Sequence, residues 1–173
     1  ALSFPAVTDL HAGWGLGAWA GVLLAAMAYV VVPMFQLTPG YPARPGWAFP
    51  VAMLGLVIVW TLAVATGVDV AARGAQALLA FAGMAFAALT MRLQSQRRRA
   101  RADATLRFWQ FGLGCVILAL LMTSTATVFP VAGELPGWGQ AAGILLVVGG
   151  FVSFIAGMLY KIVPFLAWLH LQN

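Results

Sequence analysis

The chain has 173 residues, of which 63% are hydrophobic and only 8% are charged, and its net charge is +5. A soluble domain is about 45–50% apolar and about 25% charged. The composition therefore excludes a water-soluble fold, and it also excludes intrinsic disorder, which requires low hydrophobicity. It predicts an integral membrane protein.

Five apolar runs are long enough to cross a hydrocarbon core about 30 Å thick, which takes about 20 helical residues. Because the runs are continuous rather than alternating, they predict α-helices and disfavour a β-barrel. We therefore expect an all-α bundle of about five transmembrane helices in a single domain that covers the whole chain. The predicted spans are residues 14–35, 47–66, 74–91, 108–129 and 139–160.

The tail after the fifth run is open to two interpretations, because Lys161 and Pro164 interrupt its apolar pattern. In the first, the fifth span ends near Lys161, the chain kinks at Pro164, and residues 165–171 lie at the interface. In the second, residues 161–173 begin a sixth, incomplete span. Because residue 1 is Ala, we also expect the chain to be processed or to be part of a longer one.

The basic residues are concentrated in one loop, which the positive-inside rule places in the cytoplasm. We interpret the four loop arginines Arg97, Arg98, Arg99 and Arg101 as topology determinants beside lipid headgroups, and we expect no nucleic-acid binding. The six basic residues in or beside this loop are Arg92, Arg97, Arg98, Arg99, Arg101 and Arg107.

The positions of the other charges agree with this orientation. Counting spans outward from the loop places Arg44 and Lys161 on its side of the membrane, and Arg73 is the one basic exception. The opposite side carries Asp9, His11, Asp69 and Glu134. The N-terminus is then periplasmic and the C-terminus cytoplasmic, in a multi-pass protein of the bacterial inner membrane.

Small residues recur every fourth position on two of the predicted helices, which places them on one helix face and allows a second helix to approach closely. One interpretation is a contact with another chain or a cofactor, and the other is packing within this chain. The first and fifth spans are then expected to pack together. The residues are Gly13, Gly17, Gly21 and Ala25 on the first span, and Gly149, Ser153 and Gly157 on the fifth.

Two histidines are candidates for binding a cofactor, because imidazole is a common ligand of haem iron. His11 precedes the first span and His170 lies in the tail, so the topology separates them by a membrane thickness and they cannot ligate one iron. Interfacial histidines with no ligand are the alternative. No zinc spacing of Cys and His and no pair of carboxylates within a span is present, so the sequence predicts no metal site or catalytic residue.

Hydroxyl side chains cluster late in the fourth span, between Met122 and Thr127. They could line a polar pocket, but bonding to the backbone of their own helix is the alternative that we favour.

Two stretches carry a family resemblance: HAGWGLG at residues 11–17 with VPMFQLTP at 32–39, and GMLYKIVPFLAWLH at 157–170. They resemble a group of bacterial polytopic membrane proteins that is distantly similar to haem-copper oxidase subunit I and to NnrS-type haem-copper membrane proteins. The resemblance implies further spans on both sides of this chain and makes His11 a haem-ligand candidate. The paired histidines that hold copper in the oxidases have no counterpart here, so it does not extend to oxygen or nitric-oxide reduction.

Three functional hypotheses follow. The leading one is a non-catalytic membrane subunit or scaffold that packs against partner helices, or as a homo-oligomer, in a larger redox or photosynthetic complex. The alternative is a haem-binding electron-transfer protein with His11 as an axial ligand. The second alternative is a small-solute permease, which the scarcity of charges within the spans disfavours.

Overall fold

The computed structural model describes residues 4–98 and 101–172, so Arg99 lies outside the described residues. The regular secondary structure of the described residues is entirely helical. Within these described ranges, five helices are long and apolar enough to cross a membrane. They confirm the prediction of an all-α, multi-pass membrane protein.

The five helices follow one another with short connections, and a single-turn helix, Pro130–Gly133, lies between the fourth and the fifth. Two of them contain a π-helical stretch in which glycines are frequent. The first helix comprises Phe4–Ala12, the π-helical Gly13–Gly21 and Val22–Gln36; the second is Ala43–Thr66; the third is Asp69–Ser95; the fourth is Ala104–Val128; and the fifth comprises Trp138–Ile144, the π-helical Leu145–Val152 and Ser153–Leu171.

The fifth helix is longer than the sequence predicts. The helix does not end near Lys161 but continues to Leu171, with Pro164 inside it. Proline removes one backbone hydrogen-bond donor, a loss that membrane helices tolerate. The Lys161 side chain is neutralised by Asp103 at 2.8 Å, so its charge does not oppose a continuous helix.

The core joins four of the five helices around a tilted pair of rings, Trp109 of the fourth helix and Phe154 of the fifth, whose centroids are 4.8 Å apart. Both rings are buried. The first and third helices contribute small and β-branched side chains to the same cluster. Its buried members are Ala28, Val31, Val32, Ala87, Trp109, Leu113 and Phe154.

A smaller cluster near the opposite end of the first helix holds the second helix against the first and third helices. Leu10, Trp60 and Ala75 are buried there against one another. The second helix then ends at Thr66, and Gly67 after it has a φ of 74°, a left-handed conformation that glycine adopts without steric cost. This turn lets the third helix begin at Asp69 and pack beside the second.

Candidate functional site

The two candidate histidines lie at opposite ends of the bundle. His11 is near the start of the first helix and His170 near the end of the fifth, and both are exposed. The structure therefore does not bring them together. Among the described residues no group of three or more His, Cys, Asp or Glu side chains could hold a metal ion.

The small residues of the first helix pack against the second helix rather than the fifth. A Cβ added at Gly13 would overlap the Trp60 ring, and one at Gly17 would lie 3.7 Å from Met53 Cε. At Gly21 the nearest atom is the Leu16 carbonyl of the same helix, at 3.1 Å. The second helix of the same chain thus contacts this face at Gly13 and Gly17. The sequence alone did not distinguish this packing from a contact with a partner chain.

The small residues of the fifth helix pack against the fourth. A Cβ at Gly149 would lie 2.7 Å from Cys115, and one at Gly157 would lie 2.9 Å from Phe108 Cβ. Ser153 is buried on the same helix. The absence of side chains at the two glycines is what allows the fourth and fifth helices to approach closely.

The hydroxyl-rich stretch of the fourth helix bonds to its own backbone, as favoured from the sequence. Thr123 and Ser124 donate to the Leu120 carbonyl at 3.0 and 2.8 Å. Thr125 donates to the Leu121 carbonyl and Thr127 to the Thr123 carbonyl.

A group of polar contacts lies at the end of the bundle where the first helix ends and the fourth begins; we call it the arginine end. It comprises residues 36–44, 90–98, 101–107 and Lys161. At its centre the buried Gln94 amide Nε2 donates to Gln36 Oε1 at 3.0 Å and joins the third helix to the first. Gln36 Nε2 and Gln94 Oε1 have no partner among the described residues, so the pair is only half satisfied.

Beside this amide pair, Tyr41 fixes the connection between the first and second helices. Its hydroxyl shares a 2.8 Å hydrogen bond with the buried Thr90 hydroxyl, and its ring stacks on Phe86. Burial raises the pKa of Tyr41 to about 12, and the hydrogen bond with Thr90 offsets only part of this rise. The phenol is therefore neutral at physiological pH.

The backbone at Leu37 adopts a left-handed conformation, with φ of 54°, which ends the first helix. This conformation is unfavourable for a residue with a side chain, at a cost of about 1–2 kcal/mol. The Leu37 carbonyl accepts a 3.0 Å hydrogen bond from the Arg98 amide, which anchors the loop after the third helix. The arginine end is thus held by contacts between its two loops.

Asp103 joins the fourth and fifth helices. Its Oδ1 accepts a 2.9 Å hydrogen bond from the Leu106 amide and so caps the fourth helix, and its Oδ2 pairs with Lys161 at 2.8 Å. Both side chains are only about a quarter exposed, at 23% and 26%. This contact links the start of the fourth helix to the fifth helix at Lys161 and so favours one position of the fifth helix along the bundle axis.

Beyond Lys161 the fifth helix leaves the bundle. Residues 162–171 extend for about 15 Å at 1.5 Å per residue. Every one of them is exposed. Phe165 and Trp168 form a tilted aromatic pair there, with centroids 6.4 Å apart. The large apolar side chains of this segment, which we call the projecting segment, are Ile162, Val163, Phe165, Leu166, Trp168, Leu169 and Leu171.

Sequence reasoning missed the contacts that organise the arginine end. Gln36 and Gln94 interrupt their apolar runs at the loop edges, which is the signal that could have identified them as a buried pair. Asp103 is the only acidic residue near the arginine loop, which could have indicated a partner for Lys161.

Comparisons of this chain with family models, curated proteins and solved structures found no match.

Proposed function

We propose that this chain is a non-catalytic subunit of the bacterial inner membrane that packs against the helices of a partner subunit in a larger complex. The observation that carries the proposal is the projecting segment, residues 162–171. A helix that is apolar on all its faces is stable only where protein or lipid covers it. In this segment His170 is the one polar side chain.

The position of the projecting segment favours protein over lipid as its cover. It begins directly after the ion pair of Lys161 with Asp103 and lies beside a loop rich in arginine. Charged side chains of this kind mark the headgroup level of a membrane. Apolar residues that continue past that level are outside the hydrocarbon core, so a partner protein is the environment that suits them.

The same charges support the orientation in which the N-terminus is periplasmic and the C-terminus cytoplasmic. All the described lysines and arginines except Arg73 belong to the arginine end. The positive-inside rule then places that end in the cytoplasm, and with it the projecting segment.

The experiment is a native mass measurement of the chain extracted in mild detergent. We expect a complex larger than the 18.3 kDa chain. The double variant Phe165→Ala, Trp168→Ala should fall to the mass of the single chain. The matched control is Phe81→Ala, Trp19→Ala, which removes the same two ring types from exposed sites within the spans and should leave the complex intact. A monomeric wild type, or equal masses for both double variants, would contradict the proposal.

A second candidate function, haem binding, has one specific observation in its favour. His11 is exposed, and Gly15, one turn further along the first helix, has no neighbour within 4 Å of an added Cβ. The first helix therefore leaves open space at Gly15, one turn from the imidazole. His11 offers one candidate ligand there, so we expect a haem to be bound between chains. A Soret band that is lost in His11→Ala and kept in His170→Ala would establish it.

The permease hypothesis stays a prediction, and uptake of a solute into liposomes is its test.

A further inference from the structure

A shallow groove lies on the outer face of the fourth helix, near its start at the arginine end. Its volume is about 290 Å³, and its lining residues are Ala104, Arg107, Phe108 and Phe111. These positions are spaced three or four residues apart and therefore share one face of the helix. Phe108 and Phe111 supply aromatic rings to its lining, and Arg107 is its one charged lining residue.

The fifth helix packs beside this groove through Phe108. The Tyr160 ring stacks on Phe108 with centroids 5.5 Å apart and an interplanar angle of 26°. Tyr160 and Phe111 are themselves about 60% exposed. The aromatic surface is thus continuous from one helix to the next and faces outward, where the membrane lies.

Among the described residues, the charge around the groove is predominantly positive. In the sequence, Asp103 is the acidic residue of the arginine end, one helical turn before Arg107. Its carboxylate pairs with Lys161 at 2.8 Å. Arg107 is exposed and forms no ion pair in the part of the chain that the structure describes. Arg101 adds a further exposed positive charge at the same helix start.

We propose that this groove binds an anionic phospholipid, with its phosphate on Arg107 and one acyl chain along Phe108 and Phe111. Guanidinium and phosphate form bidentate, charge-assisted hydrogen bonds. The apolar floor provides contacts for methylene groups, and the surrounding arginines attract negative lipid over zwitterionic lipid. Arginine thus selects the headgroup while the aromatic rings position the chain.

The test uses the whole chain, delipidated in detergent and titrated with phosphatidylglycerol or with phosphatidylcholine of the same acyl chains, with bound lipid counted by native mass spectrometry. We expect one phosphatidylglycerol to be retained at least tenfold better than phosphatidylcholine. Arg107→Gln should remove most of this preference. Arg44→Gln, an exposed arginine of the same end on the second helix, should keep it.

Four other outcomes would overturn the proposal. Inorganic phosphate at millimolar concentration should not displace the lipid, because it lacks the acyl chain; displacement would overturn the proposal in favour of a free-anion site. Equal retention of the two lipids by the wild type would also overturn it. So would an equal loss in Arg44→Gln, which would show a diffuse charge effect, or a lipid-free dimer, which would assign the groove to a second copy of the chain.

Discussion

Two glycines on the fourth helix, Gly112 and Gly114, are two positions apart but differ sharply in their surroundings. A Cβ added at Gly112 would lie 2.8 Å from Phe154 Cε1, whereas one added at Gly114 would have no neighbour within 4 Å. The Phe154 ring cannot easily retreat, because it is 2% exposed and packs against Trp109 at 4.8 Å. Alanine at the two positions therefore tests the packing of the fourth and fifth helices directly.

The expected magnitudes follow from two opposing effects. Replacing glycine by alanine within a helix stabilises it by roughly 0.5–1 kcal/mol. Inserting a methyl group into a filled core costs about 1–3 kcal/mol. We therefore expect Gly114→Ala to stabilise the chain by about 0.5–1 kcal/mol and Gly112→Ala to be about 1–3 kcal/mol less stable than Gly114→Ala, because only Gly112 meets the crowding.

The assay is unfolding in mixed micelles, followed by tryptophan fluorescence, which reports on Trp109 within the core. Adding Phe154→Leu to Gly112→Ala should recover part of the loss, because the smaller side chain relieves the crowding. If Gly112→Ala were as stable as Gly114→Ala, the fourth and fifth helices would not be in contact as described.

Three further predictions concern the arginine end. Asp103→Asn keeps the helix cap and should lower the free energy of unfolding by about 1 kcal/mol, whereas Asp103→Ala also removes the cap and should lower it by about 2 kcal/mol. A double-mutant cycle of Asp103→Asn with Lys161→Met should show a coupling energy near 1 kcal/mol, and zero coupling would refute the ion pair. Gln94→Leu should cost about 1–3 kcal/mol because it leaves Gln36 buried without a partner, and the double replacement of both glutamines by Leu should recover most of that loss in the same unfolding assay. Because the pKa of Tyr41 is raised to about 12 in the folded chain, from 10.0, its contribution to stability is complete below pH 10 and is lost as the pH rises towards 12, so Tyr41→Phe should flatten the decline in stability over that range.

The class of fold could be predicted from the sequence because the physical signal is large: five long apolar runs have no stable alternative to membrane helices. Helix ends were harder to predict. The first helix begins at Phe4, well before the apolar run, and the fifth passes through Pro164. A residue that often ends a helix, such as Pro164, does not end it here, where contacts such as the pairing of Lys161 with Asp103 hold the helix in place.

The candidate site was less predictable, because it depends on pairs of residues far apart in the chain. Gln36 and Gln94 are separated by 58 positions, and nothing in either local pattern indicates the other. The glycine stripes were recognisable as packing faces, but the periodicity that identifies such a face does not identify its neighbour. Only the structure shows that Gly13 meets Trp60 and that Gly157 meets Phe108.

The most direct test of the proposed function is site-specific photocrosslinking in native membranes with a photoreactive amino acid at Trp168, in the projecting segment. Ile155, on the same helix and 60% exposed within the predicted span, is the matched control. We expect Trp168 to give one discrete adduct with a second membrane protein and Ile155 to give lipid adducts alone. Lipid adducts alone at both positions would contradict the claim that the projecting segment packs against a partner subunit.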